Sequence, residues 1–203
     1  MGPTKRPSPV ALTVLSLLRA GPLHPYGMQR LIKAWHKDDV INVGHRANLY
    51  KIIKRLADDG LIAVHQVERD QAYPERTVYE LTDDGRQMGL RWLADMLGSV
   101  HNEYPEFPAA LSFAMLTAPS ELADVLEHRA ESLAGRLADL EGELHRFGAE
   151  LPRVTLLETE YQRTLTSAEI QWLRQIVEQL RTGTLTWTEE QFASQTGNWE
   201  DQG

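Results

Sequence analysis

Between residues 46 and 97 the hydrophobic pattern changes period repeatedly, and few folds accommodate such a run. Leu49, Ile52, Ile53 and Leu56 fall at i, i+3, i+4 and i+7, the spacing of one buried helical stripe. Gly60 stands just past that helix, where a C-cap glycine belongs. "LIAVHQVER" then loses the helical period and is rich in β-branched residues. "RTVYEL" sets Val78 and Glu80 against Thr77, Tyr79 and Leu81. Between them "DQAYPE", with Pro74, reads as a hairpin loop longer than a tight turn. Thr82 ends the hairpin and caps a helix over 83–97, with Asp83 and Asp84 at the positive end of its dipole. That helix carries Met88, Leu90, Trp92, Leu93, Met96 and Leu97.

Two helices precede this run. Ser8-Pro9 starts the first, Ser8 as a side-chain cap and Pro9 at a position whose donor is spare anyway. Gly21 and Pro22 stop it. Pro25 opens the second, with Tyr26, Met28, Leu31, Ile32 and Trp35 mostly on one face. Three helices, a hairpin and a helix make a winged helix-turn-helix plan. The remainder is helical. A short helix lies between prolines near 104–119, and Ser120 with Glu121 starts a long one. Leu122, Leu126, Ala130, Leu133, Leu137, Leu140, Leu144 and Phe147 form a seam close to a coiled-coil repeat, ended by Pro152. A last helix over 153–182 aligns Val154, Leu157, Tyr161, Leu165, Ala168, Trp172, Ile176 and Leu180. The expected fold class is mainly α with a small β-hairpin. A winged helix-turn-helix domain spans 8–97, an antiparallel helical dimerisation domain spans 98–182, and 183–203 is a flexible tail in which Thr188 could cap a short turn.

Charge separates the two halves. Residues 1–90 hold 13 Lys/Arg against 10 Asp/Glu, while residues 91–203 hold 8 against 19, although the chain as a whole carries −8. All five lysines lie at or before Lys54. The stripe of the third helix turns Arg46, Tyr50, Lys51, Lys54 and Arg55 largely away from the core, as a major-groove reader requires. Lys and Arg supply phosphate affinity. Arg46 could pair with guanine and Asn48 with adenine. The plainer reading is a solvated helix whose cations Asp58 and Asp59 balance. Arg69 and Arg76 flank the wing turn, but Glu68, Asp70 and Glu75 dilute their charge, so a wing with no DNA role also fits.

The two long helices carry more apolar face than a half-chain of this size easily hides, and a homodimer is the economical solution. Leu133, Leu137, Leu140, Leu144, Leu157, Tyr161 and Trp172 are the expected interface. A two-fold dimer also suits a palindromic operator in double-stranded DNA. Trp92 and Trp172 are either core residues or the walls of a pocket for a small aromatic effector. No cysteine is present, and the seven histidines show no metal-ligand spacing. No GxSxG, P-loop or GxGxxG motif occurs. Neither a catalytic residue, a metal nor a cofactor is therefore expected. Without a run of roughly 18–20 apolar residues or a signal-peptide pattern, a cytoplasmic protein with no membrane partner is expected. A competing reading keeps the winged helix as a protein-interaction module that binds no DNA.

At "HPYGMQRL", "NLYKIIKRLADDGLI" and "ERTVYELTDDGR" the chain resembles the PadR family of bacterial transcriptional regulators. The match runs over residues 10–95, and the helical remainder resembles the larger PadR subgroup, whose C-terminal helices dimerise. The resemblance implies a homodimeric transcription factor, usually a repressor, released when a small molecule binds. It carries Tyr50 onto the family tyrosine, Lys51 and Lys54 onto phosphate contacts, and Arg76 onto the wing cation. The chain departs from the pattern at Pro25, where glycine is usual, and at Asn48, where serine is common. "DDVINVGHRA" also differs from the frequent Pro-Ser-Pro-Gly approach.

Overall fold

The computed structural model describes residues 8–35, 37, 46–70, 73–188 and 190–191. The chain divides into two compact units, residues 1–102 and 103–203.

The first unit begins with α1 (Pro9–Leu17), α2 (Pro25–Ala34) and α3 (Arg46–Asp58). Ser8 is extended at the N-cap of α1 but makes no side-chain cap bond; its carbonyl instead accepts from Leu12 N–H at 2.9 Å. Pro9 at the first turn has already removed one orphan donor, so the hydroxyl is not needed there. The α2 start differs again. Its N-cap is His24, whose Nδ1 accepts from Gly27 N–H at 2.6 Å. Met28 and Ile32 face inward, whereas Tyr26 and Trp35 are more than half exposed. Trp35 is the C-cap of α2, past the last turn, which takes it off the core face expected for it.

The end of α3 is built as the glycine at position 60 implies. Gly60 has φ +72°, its N–H bonds to Ala57 O at 3.0 Å, and Leu61 N–H reaches back to Leu56 O at 2.9 Å. This is a Schellman cap. Then come the antiparallel strands β1 (Ile62–Asp70) and β2 (Tyr73–Leu81), and α4 (Asp83–Gly98). The expected six-residue loop is absent from the described hairpin, because the ladder continues to an Asp70–Tyr73 pair. Pro74 is tolerated inside β2 because the register steps past it at an irregularity between Glu68 and Asp70. A second shift, between Val64 and Gln66, leaves His65 as the extra residue, and its Nδ1 lies 2.8 Å from Glu80 Oε2. On the other edge of β2, Leu23 and Tyr79 exchange backbone bonds of 2.9 Å in both directions. The connector before α2 is thereby stitched to the wing.

Thr82 caps α4 as expected, accepting from Gly85 N–H at 3.0 Å and donating to Gly60 O at 2.9 Å. Its hydroxyl ties the end of α3 to the start of α4. Val14, Leu15, Met28, Ile32, Leu49, Ile53, Leu56 and Ile62 form a closed core with Trp92.

The second unit contains α5 (Glu106–Leu111), a 3-10 turn at Ala114–Leu116, α6 (Pro119–Phe147), a 3-10 turn at Arg153–Leu156, and α7 (Leu157–Arg181). The N-cap of α6 is Ala118 with Pro119 behind it, so Ser120 lies inside the first turn and does not cap. Helices α6 and α7 run antiparallel. Arg181 near the end of α7 pairs with Asp124 and Glu127 near the start of α6, and Arg129 pairs with Glu169 at 2.7 Å. Arg136 Nη2 donates to Gln162 Oε1 at 2.7 Å further along the pair. The segment after Gly183, expected to be loose, is held through residue 188. Leu185 and Trp187 pack on the second core, and Trp187 Nε1 donates to Thr117 O at 3.1 Å. Thr188 and Gln191 form a reciprocal capping box, with bonds of 2.9 and 3.3 Å.

Candidate nucleic-acid interface

The α3 stripe is buried almost completely. Leu49, Ile53 and Leu56 retain 1%, 2% and 0% of their surface, and Ile52 retains 8%. At about 100° per residue this orientation puts Lys51 and Lys54 opposite the stripe, with Asn48 and Tyr50 flanking them. All four are exposed, and Arg55 is half-buried. One polar face on the second helix of a helix-turn-helix thus combines two ammonium groups, an amide and a phenol. Lys51 and Lys54 can neutralise phosphates, and the Asn48 amide has the donor–acceptor pair that adenine offers in the major groove. Arg46 begins α3, but its side chain lies outside the described residues, as does that of Arg69 on β1. Arg76 is exposed on β2, opposite Glu68 in the ladder.

The wing is held at a set angle by a contact the sequence pattern did not single out. A Cβ on Gly85 would lie 1.9 Å from the Leu61 carbonyl oxygen, so the first turn of α4 rests directly on the backbone entering β1. Its signal was present in "LTDDGR", a glycine one turn inside a helix where alanine would otherwise be favoured.

The two tryptophans expected to line a pocket lie in different units. Trp92 belongs to the core of the first, 8% exposed, and its Nε1 has no acceptor among the described residues. Trp172 is 40% exposed in the second unit, edge-on to Phe107 with ring centroids 6.3 Å apart, and lines a groove of about 590 Å³. The expected interface residues also divide. Leu140 is buried, and Leu133, Leu137 and Leu144 are partly covered, on a helix packed against α7. Leu157, Tyr161 and Leu165 are at least half exposed on the outer side of α7. The inner side of α7 is made by Thr159, Thr166, Ile170, Leu173 and Leu180. That face was hidden in the sequence by its two threonines.

Among the described residues there is no cluster of His, Cys, Asp or Glu able to hold a metal, and no helix long and apolar enough to cross a membrane.

A helix-turn-helix followed by a two-stranded wing gives the first unit a winged-helix fold. Residues 14–89 match the family model described as the transcriptional regulator PadR-like family. Over that stretch the chain is similar to the PadR-like family of transcriptional regulators. Among solved structures, Bacillus subtilis PadR in complex with operator DNA is similar at 21% identity and a TM-score of 0.68, over 84% of this chain and 98% of that one. The same protein in complex with p-coumaric acid is similar at 21% identity and a TM-score of 0.69, over 85% and 98%. The Vibrio cholerae virulence activator AphA is similar at 17% identity and a TM-score of 0.66, over 85% and 98%. At such identities the likeness shows the fold. No relative among curated proteins matches the chain.

Proposed function

We propose that this chain is a sequence-specific DNA-binding transcription regulator that acts as a homodimer on a palindromic operator, represses, and is released by a small molecule. The observation that carries this reading is the division of α3: a stripe with almost no exposure on one side, and Asn48, Tyr50, Lys51 and Lys54 exposed on the other. The B. subtilis structures with operator DNA and with p-coumaric acid support both arms of it by analogy of fold. For the dimer, support comes from the apolar outer side of α7 at Leu157, Tyr161 and Leu165, left exposed after α6 is packed. Arg46 and Arg69 are assigned to the DNA face from the sequence, beside Arg55 and Arg76.

The test is selection from random duplex oligonucleotides at low salt. The expected winner is an inverted repeat with half-site centres about 10 base pairs, or a multiple, apart. Lys51→Ala and Lys54→Ala should each make the plot of log affinity against log salt shallower by about 0.9, with the fold unchanged. Failure to enrich any sequence would refute the reading. A reporter under the selected operator then gives the sign, with expression rising when the gene for this chain is deleted.

A further inference from the structure

We infer that the groove between α5, α6, α7 and the Leu185–Trp187 segment is a binding site for a neutral, planar, apolar small molecule. The groove is open to solvent on one side and offers about 590 Å³, within the range of drug-sized ligand sites. Met115, Leu122, Trp172, Ile176, Leu185 and Trp187 line it, so two indoles face one apolar space. Aromatic rings stack favourably with such walls.

Both indoles are held in place from outside the groove. Trp187 Nε1 is tied to Thr117 O at 3.1 Å, and Trp172 is braced edge-on by Phe107 at 6.3 Å. Phe107 is in turn covered by the Arg129 guanidinium at 3.7 Å, and that cation is paired with Glu169 at 2.7 Å. A wall fixed in advance loses little freedom on binding. The lining also selects by charge. It contains no charged residue among those described, and its polar side chains are Thr186 and Gln191. Gln191 Oε1 already accepts from Thr188 N–H at 2.9 Å. An anion entering this space would shed water without meeting a cation, whereas a neutral ring system loses only apolar hydration.

The site supplies a place and a ligand class for the small-molecule arm of the proposed function and rests on that reading for its biological consequence. Full-length protein would be titrated with phenylnaphthylamine, which is neutral, and with anilinonaphthalene sulfonate, the same ring system carrying an added sulfonate anion. The neutral probe should bind once per chain, and the sulfonate at least about tenfold more weakly. Trp172→Ala, which removes a wall, and Ala114→Trp, which fills the groove from a half-buried position, should each weaken the neutral probe about tenfold. Thermal melts would establish that both variants are folded. No binding of the neutral probe, equal binding of the two probes, or indifference to both substitutions overturns the site. Probe binding with these dependencies in a chain that selects no DNA sequence would sink the regulator reading and leave the site standing. Operator binding without groove-dependent probe binding would do the reverse.

Discussion

Replacing Gly85 with alanine should unfasten the wing, and its cost can be worked from the geometry. The new Cβ would sit 1.9 Å from the Leu61 carbonyl oxygen and 2.9 Å from Leu81 Cδ1. Carbon and carbonyl oxygen settle no closer than about 3.3 Å, so α4 and the entry to β1 must separate by more than an ångström. The bonds that hold them are the ones such a shift stretches: Thr82 N–H to Leu61 O at 3.3 Å, Gly85 N–H to Thr82 Oγ1 at 3.0 Å, and Thr82 Oγ1 to Gly60 O at 2.9 Å. Overpacking costs about 1–3 kcal/mol and loss of the cap about 1 kcal/mol. Alanine in a helix returns about 0.5–1 kcal/mol. The net loss is about 1–3.5 kcal/mol, a fall in melting temperature of roughly 5–25 °C for a unit of this size. Gly89, one turn further on, is the control. A Cβ there meets Leu15 at 3.6 Å, an ordinary contact, so Gly89→Ala should be neutral or stabilising by up to about 1 kcal/mol. Hydrogen exchange read on peptides from α3 and α4 isolates the first unit within the full chain. A Gly85→Ala protein at least as protected as the wild type would refute the reasoning.

Other outcomes follow from single contacts. His24→Ala should cost about 1 kcal/mol through the lost cap on Gly27, while His24→Asn should keep most of it; equal denaturation midpoints for the two variants would contradict this. Glu160 is held below its ordinary carboxyl range chiefly by its hydrogen bonds with Arg153, at 2.9 Å each. Because the folded value is the lower one, the pairing stabilises fully above the ordinary 4.5 and is lost as pH falls through the depressed value. Arg153→Gln should raise the Glu160 midpoint in a carboxyl-resolved NMR titration, and an unchanged midpoint would count against the assignment. Tyr161→Glu with Leu157→Glu should shift sedimentation toward monomer without loss of helicity, and a stable dimer would move the interface elsewhere.

Much of the first unit was legible because its signals are local. A stripe at i, i+3, i+4 and i+7 closed by Gly60, and a threonine before two aspartates, each specify their element within one or two turns. The exposure of Tyr50, Lys51 and Lys54 followed from the stripe alone, since burying one side of a helix commits the other to solvent, whereas Arg55, expected on the same face, is half-buried. The outer helices read less well. On α7 the apolar run Leu157, Tyr161, Leu165 and Trp172 looked like the side to bury, yet the side packed against α6 includes Thr159 and Thr166. A pattern names an apolar stripe, but which neighbour covers it is a property of two helices together.

The sequence by itself determined the order of elements, the inward face of α3 and the segregation of positive charge into the first half. These rest on periodicity, capping chemistry and residue counts, which need no partner. Only the tertiary structure decided three further things: that Leu23 stitches to Tyr79, that Gly85 lies against Leu61, and that Trp187 folds back to Thr117 beside Trp172. Each of these joins residues far apart in the chain or sets a backbone approach of a few ångströms. No one-dimensional spacing encodes such distances, because they are fixed by how the elements pack together.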